Sequence, residues 1–416
     1  MEEYKIYENI GDERIGYNIN QAYLCYENAE FLCADEDIRR SIHKKKISIK
    51  DNHGLNIRKT SIVIVSYNSM YLMQKCIESI RRYCIPDTYE IVVVDNASTD
   101  GVREWLCEQE DVKTILVDEN VGFPMGCNIG AQYTEPDYDI FLLNNDTRLA
   151  ANSLFWLRMG LYENDNIGAT GSCSNYASNM QQIDVEFDLP MKYLEYGAGI
   201  NVPMDNPYEE RVRLNGFAML VRRCTWDMVG GMDENFSPGY IEDDDISVRI
   251  LQTGYRLLFC HNSFIYHAGS QSFAQKEDVS QMVWEHYRYF VNKHNFDIIQ
   301  YVYPDMDLIQ QIPFNEEDEF NILQVGSGLG AELKLIRSRF PRAHAVGIEK
   351  DNALYNLSKC TDMVVHSVDE ISALFKEPVF HILMIQKKIY GSISKDELNA
   401  IQKICRNDCI LLPKID

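Results

Sequence analysis

The chain has 416 residues, with an apolar fraction of 45%, an aromatic fraction of 11% and a formal net charge of −23. This length exceeds what one ordinary hydrophobic core supports, so the sequence predicts two or three domains. The strong negative charge argues against nucleic acid or an anionic membrane surface as a partner of the whole chain.

The sequence shows no segment typical of membrane insertion or secretion. No apolar run approaches the roughly 18 residues that span a bilayer, and the N-terminal segment MEEYKIYENIGDE lacks an apolar signal region. The twelve cysteines are scattered, without the paired C-x-x-C spacing of zinc sites. Together these features predict a cytoplasmic protein with reduced thiols and no transmembrane segment.

Residues 1–58 are predicted to form a helical N-terminal extension. In QAYLCYENAEFLC, small and apolar residues recur at the spacing of an amphipathic helix that packs on another element. The basic run HKKKISIK, residues 43–50, is a local exception to the acidic charge of the chain. It has two interpretations: a solvated surface segment, or a contact for an acceptor or a lipid headgroup.

From residue 59 the chain alternates short β-branched runs with helical segments. This alternation predicts an α/β fold in which crossover helices connect the strands of a parallel sheet. The predicted domain extends over 59–300, and a polar, proline-containing linker over 301–318 separates it from a second alternating unit over 319–416. The strands of the first domain are predicted in SIVIVSY (61–67), EIVVVDNASTDG (90–101), TILVDEN (114–120) and DIFLLNND (139–146).

Polar side chains follow three of these predicted strands. In open parallel α/β sheets, ligands collect outside the carboxyl ends of the strands. A glycine-rich loop, VGFPMGCNIG (121–130), also lets backbone approach a ligand closely. An asparagine-rich turn is the alternative interpretation of the last group. The polar residues are Ser66, Tyr67 and Asn68 after the first strand, Asp95, Asn96 and Ser98 after the second, and Asn144, Asn145 and Asp146 after the fourth.

The motifs VSYN, VVVDNASTDG, NVGFPMGCNIG and LLNNDT resemble, in this order, those of glycosyltransferase family 2. Three segments further along the chain resemble the acceptor-side motifs of the same family: NGFAMLVRR (215–223), VGGMDENFSPGYIEDDDISVRILQTGY (229–255) and IYHAGSQS (265–272). The resemblance covers about residues 60–295 and is nearest to the bacterial rhamnosyltransferase-like branch. It implies a GT-A fold and a nucleotide-diphosphate-sugar donor.

The resemblance also implies roles for the polar residues at the sheet edge. Asp146 occupies the last position of the family's D-x-D motif, which implies Mn²⁺ or Mg²⁺ bound with the donor diphosphate. His267 occupies the position of a second protein ligand, although a packed imidazole is the alternative. The chain departs from the family pattern at Asn144, where the family has an acid. The implied donor-binding residues are Ser66, Tyr67, Asn68, Asp95, Asn96, Gly122, Asn128, Asn144, Asn145 and Arg222, with Asp118 or Asn120 as further candidates for the pocket.

The acidic run in IEDDDISVR supplies candidates for a general base. An acceptor hydroxyl loses its proton as it attacks the anomeric carbon, and a nearby carboxylate can accept that proton. The E-D pair of the family maps onto Glu242 and Asp243, with Asp243 in the base position. Crowding of the acids through Asp245 is expected to raise some of their pKa values. A helix cap is the alternative explanation for these acids. A base on the side opposite to the leaving diphosphate implies that the acceptor displaces the diphosphate directly, with inversion of configuration at the anomeric carbon.

The segment NILQVGSGLG (321–330) resembles the cofactor-binding first half of S-adenosylmethionine-dependent methyltransferases. The resemblance implies a cofactor site in which an acid after the second strand holds the ribose hydroxyls. No residue presents itself as a methyl-transfer catalyst. We interpret the segment as a degenerate Rossmann-like module for dimerisation or acceptor docking, with cofactor binding or methyl transfer as alternatives. The residues of this candidate site are Gly326, Gly328, Gly330 and Glu349.

The sequence therefore predicts a metal-dependent inverting glycosyltransferase. The expected donor is a UDP- or dTDP-sugar that carries GlcNAc, glucose or rhamnose. The expected acceptor is a cell-surface glycan or a protein Ser or Thr, such as one in a flagellin or an adhesin. A homodimer through the N- or C-terminal module is a further hypothesis. The alternatives are a bifunctional glycosyltransferase and methyltransferase, or a non-catalytic sugar-nucleotide-binding scaffold.

Overall fold

The computed structural model describes residues 2–52, 54–269 and 279–413. The chain divides into two compact units. Unit 1 comprises Met1–Pro207, Asn215–Gly239 and Leu258–Glu277, and unit 2 comprises Tyr208–Leu214, Tyr240–Leu257 and Asp278–Asp416. This division differs from the predicted boundaries, because three segments of the predicted 59–300 domain, 208–214, 240–257 and 278–300, group with the C-terminal residues.

The helices and strands alternate along most of the chain. The helices are α1 (Glu3–Arg14), α2 (Ile19–Leu32), α3 (Glu36–Asn52), α4 (Met70–Tyr83), α5 (Val102–Cys107), α6 (Phe123–Gln132), α7 (Ser153–Leu161), α8 (Pro190–Ile200), α9 (Arg223–Val229), α10 (Glu242–Gln252), α11 (Val279–His294), α12 (Met306–Gln310), α13 (Ala331–Arg339), α14 (Asn352–Ser358), α15 (Val368–Leu374) and α16 (Lys395–Ile404). The strands are β1 (Thr60–Ser66), β2 (Tyr89–Asn96), β3 (Val112–Val117), β4 (Asp139–Asn144), β5 (Thr147–Leu149), β6 (Ile167–Cys173), β7 (Tyr208–Arg211), β8 (Ala218–Val221), β9 (Arg256–His267), β10 (Asn321–Val325), β11 (His344–Ile348), β12 (Val364–Val365), β13 (Phe380–Ile385) and β14 (Cys405–Leu412).

The sheet of unit 1 has the strand order β3-β2-β1-β4-β8-β6-β9-β5. Strands β1 to β4 are parallel to one another, and β8 joins β4 in antiparallel orientation. The runs at the centres of β1, β2 and β4 are buried, which explains why they read as continuous apolar segments. Parallel register places Ser66 beside Asp95, and Val65 beside Asn144, so the polar strand ends meet at one edge.

The N-terminal helices pack on this sheet layer through α7. The buried carboxylate of Glu27 on α2 lies 2.6 Å from Nη1 of Arg158 on α7. The Gln21 side-chain amide donates a hydrogen bond to the Met159 carbonyl at 2.7 Å. The N-terminal extension is therefore attached to the first unit by buried polar contacts as well as by apolar packing.

Unit 2 contains a parallel sheet with the strand order β12-β11-β10-β13-β14. Counted along the chain this is the order 3-2-1-4-5 of a doubly wound Rossmann sheet, which confirms the predicted Rossmann-like C-terminal domain. Ile322 and Leu323 lie in different hydrophobic clusters, as successive residues of a strand that is covered on both faces do. The predicted linker contributes Leu308 and Ile309 of α12 to one of these clusters, so it is part of the core.

A buried ionic cluster also holds unit 2 together. Glu210 on β7 accepts hydrogen bonds from Nη2 of Arg337 at 2.9 Å and from Arg256. Lys334 is fully buried and bonds to Asp362, which also accepts from Arg337. Burial raises the pKa of Glu210, but the positive charges of Lys334, Arg337 and Arg256 outweigh it and lower the pKa below its ordinary value. The contribution of Glu210 to stability is therefore present while this side chain is ionised and is lost as pH falls through its lowered pKa.

Within residues 2–52, 54–269 and 279–413, none of the helices combines the length and the apolar composition required to cross a membrane.

Candidate active site

A carboxylate and an imidazole form a close pair at the carboxyl edge of the unit 1 sheet. Asn145 and Asp146 are the two turn residues between β4 and β5. Strand β5 pairs with the end of β9 so that Thr147 lies opposite His267. This pairing brings Oδ1 of Asp146 to 3.1 Å from Nε2 of His267. Both side chains are almost fully buried.

The imidazole of His267 is held from several sides. Its Nδ1 lies 2.7 Å from the carbonyl oxygen of Tyr176, which assigns the proton to Nδ1 and leaves Nε2 facing Asp146. The ring stacks on Phe217, with centroids 5.2 Å apart and an interplanar angle of 12°. Burial lowers the pKa of His267, but the hydrogen bond and the charge of Asp146 outweigh it, so the pKa is raised. The sequence pattern predicts the imidazole of His267 but not its contacts with Phe217 and Tyr176, because no local signal links residues that are 50 and 91 positions away.

The geometry of this pair fits a divalent cation. Two neighbouring ligands at about 2.1 Å from an octahedral ion lie about 3 Å apart, close to the observed separation. A ring N–H donated to a carbonyl is the outer-shell contact typical of a metal-binding histidine. Within the described ranges, no cluster of three or more His, Cys, Asp and Glu side chains could hold a metal. The pair therefore fits a cation whose remaining ligands come from water and an anionic substrate.

Three buried polar atoms near the strand ends lack a hydrogen-bond partner among the residues that the structure describes. They are Oγ of Ser66, Oδ1 of Asp95 and the side-chain amide nitrogen of Asn145. The second oxygen of Asp95 accepts the Ser98 N–H at 3.2 Å and lies 3.2 Å from Nε of Arg103. Buried polar groups are rarely left unpaired. These atoms are therefore the best candidates among the predicted donor contacts.

Other predicted donor residues connect loops of the same edge. The Asn68 side chain accepts the Thr99 N–H at 2.8 Å. The Asn96 side chain accepts the Val121 N–H at 2.8 Å and donates to Asn120 at 2.9 Å. These amides keep the loops after β1, β2 and β3 together. The side chain of Tyr67 is 38% exposed. The side-chain amide nitrogen of Asn144 lies 3.5 Å from Nε2 of His267.

Gly122 and Asn128 hold residues 232–238 of unit 1 against α6. Gly122 has a φ of +86°, and a Cβ atom there would lie 2.7 Å from the Cα of Pro238. The Asn128 side chain accepts the Met232 N–H and donates to the Met232 carbonyl, both at 2.8 Å. The missing side chain of Gly122 thus allows the backbone at Pro238 to come close, and not a ligand. The side-chain amide of Asn128 is likewise occupied by the backbone of Met232.

Arg222 has a role different from the predicted donor contact. Its guanidinium donates to the carbonyl oxygens of Ile167 at 2.7 Å and Asn164 at 3.1 Å. It also lies over the ring of Tyr162, 5.1 Å from the centroid. A buried guanidinium directed at backbone carbonyls holds the loop between α7 and β6. The sequence could not reveal this, because a pair of arginines has the same pattern on a surface and in a core.

The acidic run forms the first turn of α10 in unit 2. The N-cap residue is Ile241, whose side chain makes no capping hydrogen bond, and within the first turn Oδ1 of Asp243 accepts the Asp244 N–H at 3.1 Å. Asp245 is fully buried and bonds to Arg249 at 2.7 Å and His294 at 2.8 Å. Burial raises its pKa, but these partners and Lys293 outweigh it, and the pKa is lowered. Asp245 is therefore a structural anion.

The remaining acids of the run differ in their protonation. Burial raises the pKa of Asp244 to about 6, against the opposing charge of Arg213 at 2.5 Å. Burial and then the charge of Asp243 raise the pKa of Glu242 well above its ordinary value. Oε2 of Glu242 has no hydrogen-bond partner among the described residues. Asp243 is the only one of the four acids that is not buried, so it is the carboxylate most accessible to a substrate.

The glycine-rich loop of the C-terminal module is filled by side chains of unit 2. All three glycines have positive φ angles. A Cβ atom on Gly326 would lie 2.5 Å from Ile389, one on Gly328 2.6 Å from the Tyr301 ring, and one on Gly330 2.7 Å from Asp362. The space over the loop is therefore occupied by the protein itself.

Glu349 closes this loop instead of presenting a free carboxylate. Its Oε2 accepts the Gly328 N–H at 2.7 Å, and its Oε1 accepts the Asp351 N–H at 2.8 Å. A ribose would have to displace both bonds. The arrangement therefore does not fit a bound S-adenosylmethionine. Glu349 has a structural role, because both of its carboxylate oxygens accept backbone N–H groups of the module.

Part of this chain matches a known protein family. Residues 61–183 match the model of Glycosyl transferase family 2. The curated Glycosyltransferase AglE of Haloferax volcanii is 24% identical over 210 residues, which are 49% of this chain and 64% of that protein. The chain thus spans slightly less than two thirds of this relative. These findings support the predicted enzyme class, a glycosyltransferase, and confirm the predicted GT-A type of fold class.

Solved glycosyltransferase structures also align with the chain. The crystal structure of GalNAc-T7 with UDP, GalNAc and Mn²⁺ aligns over 69% of this chain and 55% of its own, with 19% identity and a TM-score of 0.46. The mannosyltransferase PcManGT from Pyrobaculum calidifontis, in complex with GDP-Man and Mn²⁺, aligns over 69% of this chain and 76% of its own, with 17% identity and a TM-score of 0.42.

Proposed function

We propose that this protein is a metal-dependent inverting glycosyltransferase that transfers a hexosyl group from a UDP- or dTDP-sugar to a hydroxyl group. The observation that carries the proposal is the buried pair of Asp146 and His267, 3.1 Å apart at the carboxyl edge of the sheet. This pair fits a divalent cation that needs further anionic ligands, and a sugar-nucleotide diphosphate supplies such ligands.

Asp146 and His267 would hold Mn²⁺ or Mg²⁺. When bound, such a cation stabilises the negative charge that develops on the leaving diphosphate. The Tyr176 carbonyl keeps the proton of His267 on Nδ1, so Nε2 retains its lone pair on the side of Asp146. Phe217 fixes the plane of the ring by stacking on it.

The unpaired buried atoms at the strand ends suit the nucleoside part of the donor. Among the residues that the structure describes, Oδ1 of Asp95 has no donor, and a base N–H or a ribose hydroxyl would satisfy it. The amide nitrogen of Asn145 has no acceptor among the same residues, and a phosphate or sugar oxygen would satisfy it. Binding would thus remove the cost of burying these groups without partners.

Asp243 is the proposed general base, by its position in the family motif and its partial exposure. It would take the proton of the acceptor hydroxyl while the new bond forms at the anomeric carbon and the bond to the diphosphate oxygen breaks. The raised pKa of Glu242 favours its neutral form, which limits repulsion of the charge on Asp243. One displacement of this kind inverts the anomeric configuration.

The identity of the sugar and the acceptor rests on the family resemblance. The proposed sugars are GlcNAc, glucose and rhamnose, and the proposed acceptors are a cell-surface glycan and a protein Ser or Thr. The proposed location is the cytoplasm, where sugar nucleotides are available to the enzyme.

Donor hydrolysis tests the proposal. The purified chain is incubated with a panel of UDP-, dTDP- and GDP-sugars and Mn²⁺, with and without EDTA, and released nucleoside diphosphate is measured. We expect release from one donor, its loss with EDTA, and its loss in Asp146→Ala and in His267→Ala. The matched control is Asp137→Ala, an exposed aspartate that precedes the start of β4. Release that persists in EDTA or in Asp146→Ala would refute the metal site.

A further inference from the structure

A cavity of about 840 Å³ lies in unit 1 between the N-terminal helices and the sheet. Its lining includes Arg58 and Lys59, which directly precede β1, and Ile85 to Thr88, which precede β2. Because β1 and β2 are parallel, their starts lie at the edge opposite to Ser66 and Asp95. The cavity is therefore separate from the proposed donor site.

The lining of this cavity is cationic, although the chain as a whole is strongly acidic. It contains the six basic residues Arg39, Lys46, Lys50, Arg58, Lys59 and Arg158 and the three acidic residues Glu27, Glu30 and Asp87. Two of the acids are already neutralised, since Glu27 pairs with Arg158 and Glu30 with Lys46, each at 2.6 Å. Lys50, Arg58 and Lys59 have no ion pair with any residue that the structure describes. Positive charge is thus left over in the cavity.

A buried donor in the cavity wall also lacks a partner. Arg158 is only 5% exposed. Its Nη1 bonds to Glu27, and its Nη2 donates to the Arg58 carbonyl at 3.2 Å. Its Nε is buried without a hydrogen-bond partner among the described residues. An unpaired N–H of a buried guanidinium is costly. Because it belongs to a residue of the cavity wall, a small rearrangement of that wall on binding would let an anion pair with it.

The rest of the lining is apolar and defines the size of the ligand. Phe31 on α2 is 42% exposed, and Leu55 and Ile57 are half-buried in the segment before β1. The volume lies within the range of small-molecule sites, about 300–1,000 Å³. A small amphiphilic anion fits this lining better than an extended acidic chain.

We propose that this cavity is a second binding site, which takes a phosphate-bearing ligand with an apolar portion. The cations of the cavity contact the phosphate, and Phe31, Leu55 and Ile57 contact the apolar portion. Two of the cations, Lys46 and Lys50, come from the basic run HKKKISIK, which favours its interpretation as an anion contact over that of a solvated segment. The phosphate can belong to a soluble molecule or to a lipid headgroup.

Phosphate binding by the full chain tests this proposal. Inorganic pyrophosphate is titrated calorimetrically in EDTA, which suppresses cation-mediated binding at Asp146. In parallel, co-sedimentation is measured with phosphatidylcholine vesicles with and without phosphatidic acid. The test variant is Lys50→Glu/Lys59→Glu. The control is Arg40→Glu/Lys44→Glu, which changes the net charge equally at two exposed positions of α3 outside the cavity.

We expect binding to weaken at least tenfold in the test variant and less than twofold in the control, and to weaken as salt rises from 50 to 200 mM. Weaker pyrophosphate binding in the test variant supports a soluble ligand. Weaker vesicle binding in the test variant, without a change in pyrophosphate binding, supports a lipid headgroup. No binding of either probe, or equal loss in both variants, overturns the proposal. Circular dichroism of both variants verifies that they are folded, and a test variant that fails to fold is replaced by Lys50→Gln/Lys59→Gln.

Discussion

Replacing Glu242 by glutamine should stabilise the protein increasingly as pH rises. The side chain is buried at the start of α10, and its Oε2 has no hydrogen-bond partner among the described residues. Burial and the neighbouring Asp243 raise its pKa well above its ordinary value of 4.5. The folded chain therefore retains a proton that the unfolded chain has released, and stability is lost as pH rises.

The size of the effect follows from proton linkage. Each pH unit removes about 0.7 kcal/mol from the free energy of unfolding of the wild type at pH 4.5, and this slope rises to about 1.4 kcal/mol per pH unit between about pH 5.5 and the pKa of the folded state. Glu242→Gln resembles the protonated side chain and does not titrate, so it lacks this loss. From pH 4.5 to 6.5 the variant should gain up to about 2.3 kcal/mol relative to the wild type, the full amount being reached when the folded chain keeps its proton across this range.

Urea denaturation followed by far-UV circular dichroism at several pH values between 4.5 and 8 measures this difference. The control is Glu317→Gln in the same unit, whose side chain is 87% exposed and lies 4.0 Å from Arg342. This surface substitution should change the free energy of unfolding by less than about 1 kcal/mol at every pH. A gap for Glu242→Gln that stays constant across the range would refute the reasoning, because it would mean that the folded pKa is not raised.

Three further predictions concern unit 2. Glu210→Gln should lower the free energy of unfolding by about 1–3 kcal/mol in urea, because it removes one of the two acids that neutralise Lys334 and Arg337, while Asp362 stays in place; a loss below about 1 kcal/mol would contradict the buried cluster. Gly328→Ala should cost about 1–3 kcal/mol in the same assay, because its Cβ atom would meet the ring of Tyr301, and an unchanged midpoint would argue against the filled loop. S-adenosylmethionine should leave the melting temperature of the full chain unchanged, and a concentration-dependent increase would show that the loop can open.

The sequence alone determined most of the local structure. Continuous apolar runs located β1, β2 and β4, because strands that are buried on both faces have such sequences. The polar residues that follow these runs marked the carboxyl edge of the sheet. The order of the motifs indicated the glycosyltransferase class, which the family match over residues 61–183 supports.

Only the tertiary structure decided which of these residues remain available for chemistry. Asn128 and Arg222 have side chains suited to a ligand, but both are used by backbone groups that are distant in sequence. The glycine loop of unit 2 has the pattern of a cofactor site, but Tyr301 and Glu349 pack into it and close it. Conversely, Asp146 and His267 are 121 residues apart, and only strand pairing brings them together. The physical reason is that sequence patterns report local conformation and burial, whereas partners are chosen by packing, often through carbonyl groups that every residue carries.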